Sequence, residues 1–150
     1  MILIVEDDAH KSSQISDICA ALAYDIDGRT IVDNVKDVVR YLVHNTPLKI
    51  VLDMSLPSHK ALPGQGTPVP MPTGGIEVLF ELKMKKIMHI PILILTQYPE
   101  IEIEGEPYPI DESAETLKEM YGFKNIQACY YESKKNAKWI NVTTEFLRNR

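Results

Sequence analysis

Apolar and polar positions alternate between two patterns along this 150-residue chain. Short apolar runs rich in Ile, Leu and Val predict strands over Ile2–Val5, Lys49–Asp53, Ile92–Thr96 and Ile126–Tyr131. A weaker strand, interrupted by Gly28, is predicted over Tyr24–Val32. Between these runs the apolar residues recur at helical spacing. Ile15, Ile18, Cys19 and Leu22 share one face of a helix over His10–Ala23. Val35, Val38, Val39, Leu42 and Val43 do the same in a second helix, with Asp33 as its cap, and Pro47 ends that passage. Gly75–Met88 reads as a third helix with Ile76, Leu79, Phe80 and Lys83/Met84 inward. A fourth runs over Ser113–Tyr121 and is closed by Gly122. The last, Ala137–Leu147, points Trp139, Val142, Phe146 and Leu147 one way.

Five strands alternating with amphipathic helices imply βαβ crossovers, hence an α/β fold with a doubly wound parallel sheet and helices on both faces. Such sheets carry ligands at the carboxyl ends of their strands. Two of those ends are acidic. Met1–Val5 runs into Glu6-Asp7-Asp8, and Ile50–Leu52 runs into Asp53. If the two strands are neighbours, their ends lie about 5 Å apart and the acids share one small volume. Uncompensated, such a cluster repels itself, and a hard divalent cation with oxygen ligands is the usual remedy. Two connections on the same edge are long: 58–74, which holds Pro63, Pro68, Pro70 and Pro72, and 97–112. Long connections in a compact domain are usually functional or mobile.

The net charge of −5 and the lack of a basic helical stripe argue against direct nucleic-acid binding. No apolar run approaches a membrane span, the longest being broken by Pro91. Met1 leads straight into the first strand, which leaves no room for a signal peptide. Cys19 and Cys129 lack CxxC spacing and read as buried thiols of a reducing cytoplasm. His10, His44, His59 and His89 show no metal-ligand spacing. No internal repeat or linker divides the chain, so a single domain over 1–150 is expected.

Five segments, in order, resemble the receiver domain of two-component response regulators, the chemotaxis-type phosphoacceptor fold. They are Ile2-Leu-Ile-Val-Glu-Asp-Asp8, Val51-Leu-Asp53-Met-Ser-Leu-Pro57, Gly75-Ile-Glu-Val-Leu79, Pro91-Ile-Leu-Ile-Leu-Thr96 and Tyr131-Glu-Ser-Lys134. The resemblance implies a flavodoxin-like sheet of strand order 2-1-3-4-5, and Asp53 as the acceptor of a phosphoryl group. It implies Mg²⁺ held by Asp7, Asp53 and the Ser55 backbone carbonyl directly and by Glu6 through water. Lys134 and Thr96 are then expected to contact the phosphoryl oxygens, and Tyr131 to be the aromatic switch. The implied donor is a histidine kinase or a histidine phosphotransfer protein, and the output is altered affinity for an unidentified partner protein rather than catalytic turnover.

The chain departs from the family pattern in several places. Lys135 replaces the usual proline, and Gln97 is bulkier than the small residue common after Thr96. Tyr130 competes with Tyr131 for the switch position, and Lys135 and Lys138 lie near Lys134. The Pro-rich connection is expected as either a partial lid over Asp53 or a stiff surface excursion. Residues 99–119 carry eight carboxylates against one lysine, and Glu100-Ile-Glu-Ile-Glu104 alternates as an extended segment with one apolar face. That stretch is either a solvated acidic loop or a docking edge for a basic partner. The alternative function is a receiver-like interaction module that acts without phosphorylation. A hydrolase is disfavoured because aspartyl phosphatases commonly place a second acid two residues after the nucleophile, where this chain has Ser55.

Overall fold

Strands β1 (Ile2–Val5), β2 (Arg29–Val32), β3 (Lys49–Leu52), β4 (Ile92–Thr96) and, last in the chain, β7 (Ile126–Tyr130) form one parallel sheet in a computed structural model that describes residues 1–24, 28–66 and 68–149. The spatial order is β2-β1-β3-β4-β7, the arrangement expected, with β7 as the fifth sheet strand. Residues 25–27 of the strand anticipated over Tyr24–Val32 lie outside the described residues.

Helices cover both faces, which is why the central strands are apolar except at Lys49, which opens β3, and Thr96, which ends β4. Leu3, Val5, Ile50 and Leu52 pack on one face against α2 (Val35–His44), α3 (Gly74–Met84) and α4 (Ile110–Tyr121). Ile2, Ile4, Val51, Leu93 and Leu95 pack on the other against α1 (Ala9–Ala21) and α5 (Lys138–Arg148). Trp139, the chain's one tryptophan, is fully buried in that second layer.

Local chemistry moves several expected boundaries. Asn34, rather than Asp33, caps α2, its side chain accepting from Asp37 N at 2.8 Å. Helix α3 stops at Met84 instead of Met88. Lys86 turns left-handed at φ 59°, and the Lys86 and Ile87 amides close back onto Lys83 and Leu82. The inward face of α3 is Ile76, Val78, Leu79 and Leu82, while Phe80 and Met84 are exposed. Val43 of α2 is exposed as well.

The second long connection is not irregular. Glu100–Ile103 (β5) and Glu106–Pro109 (β6) form an antiparallel hairpin that runs straight into α4, which therefore starts at Ile110 rather than Ser113. Its turn, Glu104-Gly105, has positive φ at both residues, as the tightest hairpin turns require. Ile101 and Ile103 are buried and join the core with Leu117 and Tyr121, while Glu100 and Glu102 face solvent. The alternating pattern thus sits where a two-faced extended segment should.

The hairpin is also tied by a polar contact, the Tyr121 hydroxyl donating to Glu104 Oε1 at 3.1 Å. Burial, reinforced by the Glu104 carboxylate, pushes the Tyr121 phenol up to about 12. The fold therefore holds the neutral phenol, and the contribution is whole below about pH 10, the ordinary tyrosine value. It is lost as pH rises from there through about 12. Tyr121→Phe is expected to lower stability by about 1–2 kcal/mol near neutral pH. Urea unfolding of both proteins across alkaline pH should show that gap constant at first and then shrinking.

Candidate functional site

Register alone brings the acids together. Val5 pairs with Leu52, so the next residues, Glu6 and Asp53, emerge side by side, and Asp53 N donates to Val5 O at 3.0 Å. One carboxylate oxygen each from Glu6, Asp7 and Asp53 lies within 4.8 Å of the others. Glu6 and Asp53 are buried, whereas Asp7 is exposed at the rim. Asp8 belongs to the helix instead, capping α1 by accepting from Lys11 N at 3.1 Å.

A cavity of about 270 Å³ opens over these groups, lined by Asp7, Asp8, Asp53, Ser55, Pro70, Pro72, Gln97 and Tyr98. The Pro-rich connection therefore forms one wall. Leu56 and Met71 pin it with a two-way backbone bridge, Leu56 N to Met71 O at 3.1 Å and Met71 N to Leu56 O at 2.8 Å. Gly74 and Gly75 let α3 sit against the acidic loop. A Cβ on Gly75 would stand 2.6 Å from Asp53 O and 2.8 Å from Met54 Cα, closer than real atoms approach.

Electrostatics in the cluster are strained by burial. Loss of water, with the Asp53 charge adding to it, raises Glu6 to about 8, although Lys11 pulls the other way. Asp7 is raised for the same two reasons, burial first and Asp53 second. Three convergent carboxylates are a hard oxygen donor set, consistent with a divalent metal.

A residue that sequence reading left out lies at the centre. Lys11 of α1 is 1% exposed, and its ammonium is 2.7 Å from Glu6 Oε2 and 3.4 Å from Asp53 Oδ1, while donating to Leu95 O at 2.6 Å. Its Nζ also sits 5.1 Å from the centre of the Tyr131 ring. The spacing held a clue. Lys11 stands four and eight residues before Ile15 and Cys19, on the inward stripe of the helix, where an unpaired charge is not tolerated.

The remaining expected residues divide. Ser55 lines the cavity beside Asp53. Thr96 is fully buried at the end of β4, where its Oγ1 accepts from Tyr98 N at 3.3 Å. Tyr131 faces inward, its ring 4.9 Å from that of Trp139 and its hydroxyl bonded to Gln14, while Tyr130 is exposed. Lys134 is not brought to the cluster. Its side chain is 70% exposed and pairs with Glu132 at 3.2 Å, and among the described residues the cation in ion-pair contact with Asp53 is Lys11.

No family model matches the chain. It is 63% identical over 149 residues to the Detocs response regulatory protein DtcB of Vibrio alginolyticus, a match covering 99% of this chain and all of that one. Its fold is similar to the receiver domain of a Pseudomonas aeruginosa sensor histidine kinase, a structure with a magnesium ion coordinated in its active site cleft. That similarity has a TM-score of 0.57 at 19% identity and covers 97% of this chain and 95% of that one. The phosphorylated cyanobacterial phytochrome response regulator RcpA is similar to the same degree, with a TM-score of 0.57 at 18% identity over 98% of this chain and 87% of that one. With an acidic cluster at the sheet edge and a relative this near along its whole length, the chain belongs to the response regulators and is built on their receiver fold.

Proposed function

We propose that Asp53 is the phosphoacceptor of this receiver, and that it takes its phosphoryl group from a phosphohistidine on a histidine kinase or a histidine phosphotransfer protein. The observation that carries the reading is the placement of Asp53, buried at the floor of an open 270 Å³ cavity within 4.8 Å of two further acids. Asp53 Oδ1 accepts from Met54 N at 2.8 Å and faces Lys11, so Oδ2 is the oxygen left to attack phosphorus. The P–N bond of the donor breaks as the P–O bond forms, and its electron pair leaves with the imidazole nitrogen.

Glu6, Asp7 and Asp53, with the Ser55 carbonyl, are the groups to hold Mg²⁺, which supplies the charge neutralisation that an anion attacking an anion needs. Thr96 accepts from Tyr98 through its Oγ1 lone pair, which leaves its hydroxyl proton for a phosphoryl oxygen. Tyr131 then acts as the switch, its hydroxyl tied to Gln14 and its ring to Trp139. The output is a change in affinity for a protein partner in the cytoplasm, not turnover of a substrate. A second reading, a module that binds constitutively, draws on Lys11, which already compensates Glu6 and Asp53 without a metal.

Two measurements test this. After incubation with Mg²⁺ and phosphoramidate, intact mass should show one added phosphoryl group on the wild type and none on Asp53→Ala; an unlabelled wild type supports the constitutive module instead. Mg²⁺ alone should raise the unfolding temperature, by the equivalent of about 2.7 kcal/mol at about 100 times its Kd. The raised Glu6 favours the metal-free fold at low pH, a contribution lost as pH climbs toward about 8. Metal and proton compete for that carboxylate, so the gain from Mg²⁺ should grow over the same range.

A further inference from the structure

We propose that Lys11, and not Lys134, is the cation that grips the phosphoryl group on Asp53. This rests on the phosphoacceptor reading above and assigns within it the one role for which the sequence pattern points elsewhere.

The Lys11 ammonium stands where four strand ends converge. Glu6 follows β1, Asp53 follows β3, Leu95 is the penultimate residue of β4, and Tyr131 follows β7, and each is in contact with it. A lysine ammonium has three protons to donate. Two are firmly placed, on Glu6 Oε2 at 2.7 Å and Leu95 O at 2.6 Å, and they fix the head group. The third points to Asp53 Oδ1 across 3.4 Å, an ion pair too long to be a strong hydrogen bond. When phosphorus bonds to Oδ2 of Asp53, that carboxylate loses its charge and the phosphoryl oxygens add about −1.5 to −2 beside the Oδ1 that Lys11 faces. The third proton then finds a better acceptor without the head group leaving its other partners.

Lys134 lacks this preparation. To reach Asp53 it must give up Glu132 and most of its hydration, and its 70% exposed side chain must be ordered in one geometry. Lys11 is already buried, desolvated and oriented by the fold, so the cost of placing the charge falls on folding rather than on phosphoryl transfer.

The assignment also links the site to its readout. Nζ lies over the Tyr131 ring, and that ring packs on Trp139 at 4.9 Å. Re-aiming the third proton alters the field on Tyr131, and Trp139 is the chain's only indole.

The test follows labelling by phosphoramidate and Mg²⁺, read by intact mass, in wild type, Lys11→Met, Lys11→Arg and Lys134→Met, with folding checked by Trp139 fluorescence. Lys11→Met should label at least about 100-fold more slowly, the usual penalty for removing a charge-stabilising donor. Lys11→Arg should recover part of the rate, and Lys134→Met should stay within about threefold of wild type. Because Lys11→Met can fail to fold, the wild-type protein carries a second readout. In lysine-labelled NMR spectra the Lys11 ε-carbon signal, assigned with Lys11→Arg, should shift on phosphorylation while that of Lys134 stays put. A folded Lys11→Met that labels at the wild-type rate, or a shift at Lys134 and none at Lys11, overturns the assignment and returns Lys11 to pure charge compensation. A wild type that does not label at all defeats the phosphoacceptor reading, and the assignment with it.

Discussion

Burial of negative charge at the end of a parallel sheet is the constraint that organises this protein. β1 and β3 must be neighbours in fixed register for the core to close, and that register delivers Glu6 and Asp53 to the same point. Burial, and after it the charge of Asp53, raises the affinity of Glu6 and Asp7 for a proton. The fold meets this cost from within by sending a lysine up from α1. Cluster and counter-charge are therefore one device, since removing either partner leaves an uncompensated buried charge, which is typically worth about 3–5 kcal/mol of stability.

That device is supported from several directions. The α3 glycines allow the helix to lie directly on the loop that carries Asp53 and Met54. The Leu56–Met71 bridge holds the Pro-rich connection close enough for Pro70 and Pro72 to wall the cavity. Prolines restrict the backbone and so reduce the entropy lost by keeping that wall in place. Gln97 and Tyr98 line the same cavity, so both connections contribute to its walls.

The parts of the fold legible in the sequence were those governed by period. Runs such as Ile92–Leu95 and stripes such as Val35, Val38 and Leu42 specify their elements because a strand buried on both faces and an amphipathic helix each permit few other readings. Boundaries depended on single hydrogen bonds, as with Asn34 taking the cap from Asp33, and no period reveals those. The acids were legible because carboxylates have no business at the end of a buried strand. Lys11 was not, because a lysine inside a helix is ordinarily a solvated residue, and only the three-dimensional convergence of Glu6, Asp53 and Leu95 O makes its burial tolerable. The pattern Tyr131-Glu-Ser-Lys134 pointed to a different lysine, and the turn after β7 carries that one outward.

The hairpin ties the segment between β4 and α4 to the core. Between β4 and α4 the chain runs through β5 and β6 instead of a free connection. Here Thr96 Oγ1 takes the Tyr98 amide, Pro99 O takes the Ile110 amide, and between them β5 and β6 are anchored by Ile101 and Ile103 in the core with α4. A displacement of Thr96 toward a phosphoryl group would not be absorbed by a slack loop, because the chain two residues on is bonded to it and Ile101 and Ile103 beyond are buried. It must be carried into the hairpin as a unit or resisted by it. Since Glu100 and Glu102 ride on the solvent face of β5, the element that Thr96 pulls on is also the one that presents this acidic surface. On the phosphoacceptor reading, the contacts that anchor the hairpin are the ones through which a shift of Thr96 would reach this acidic face.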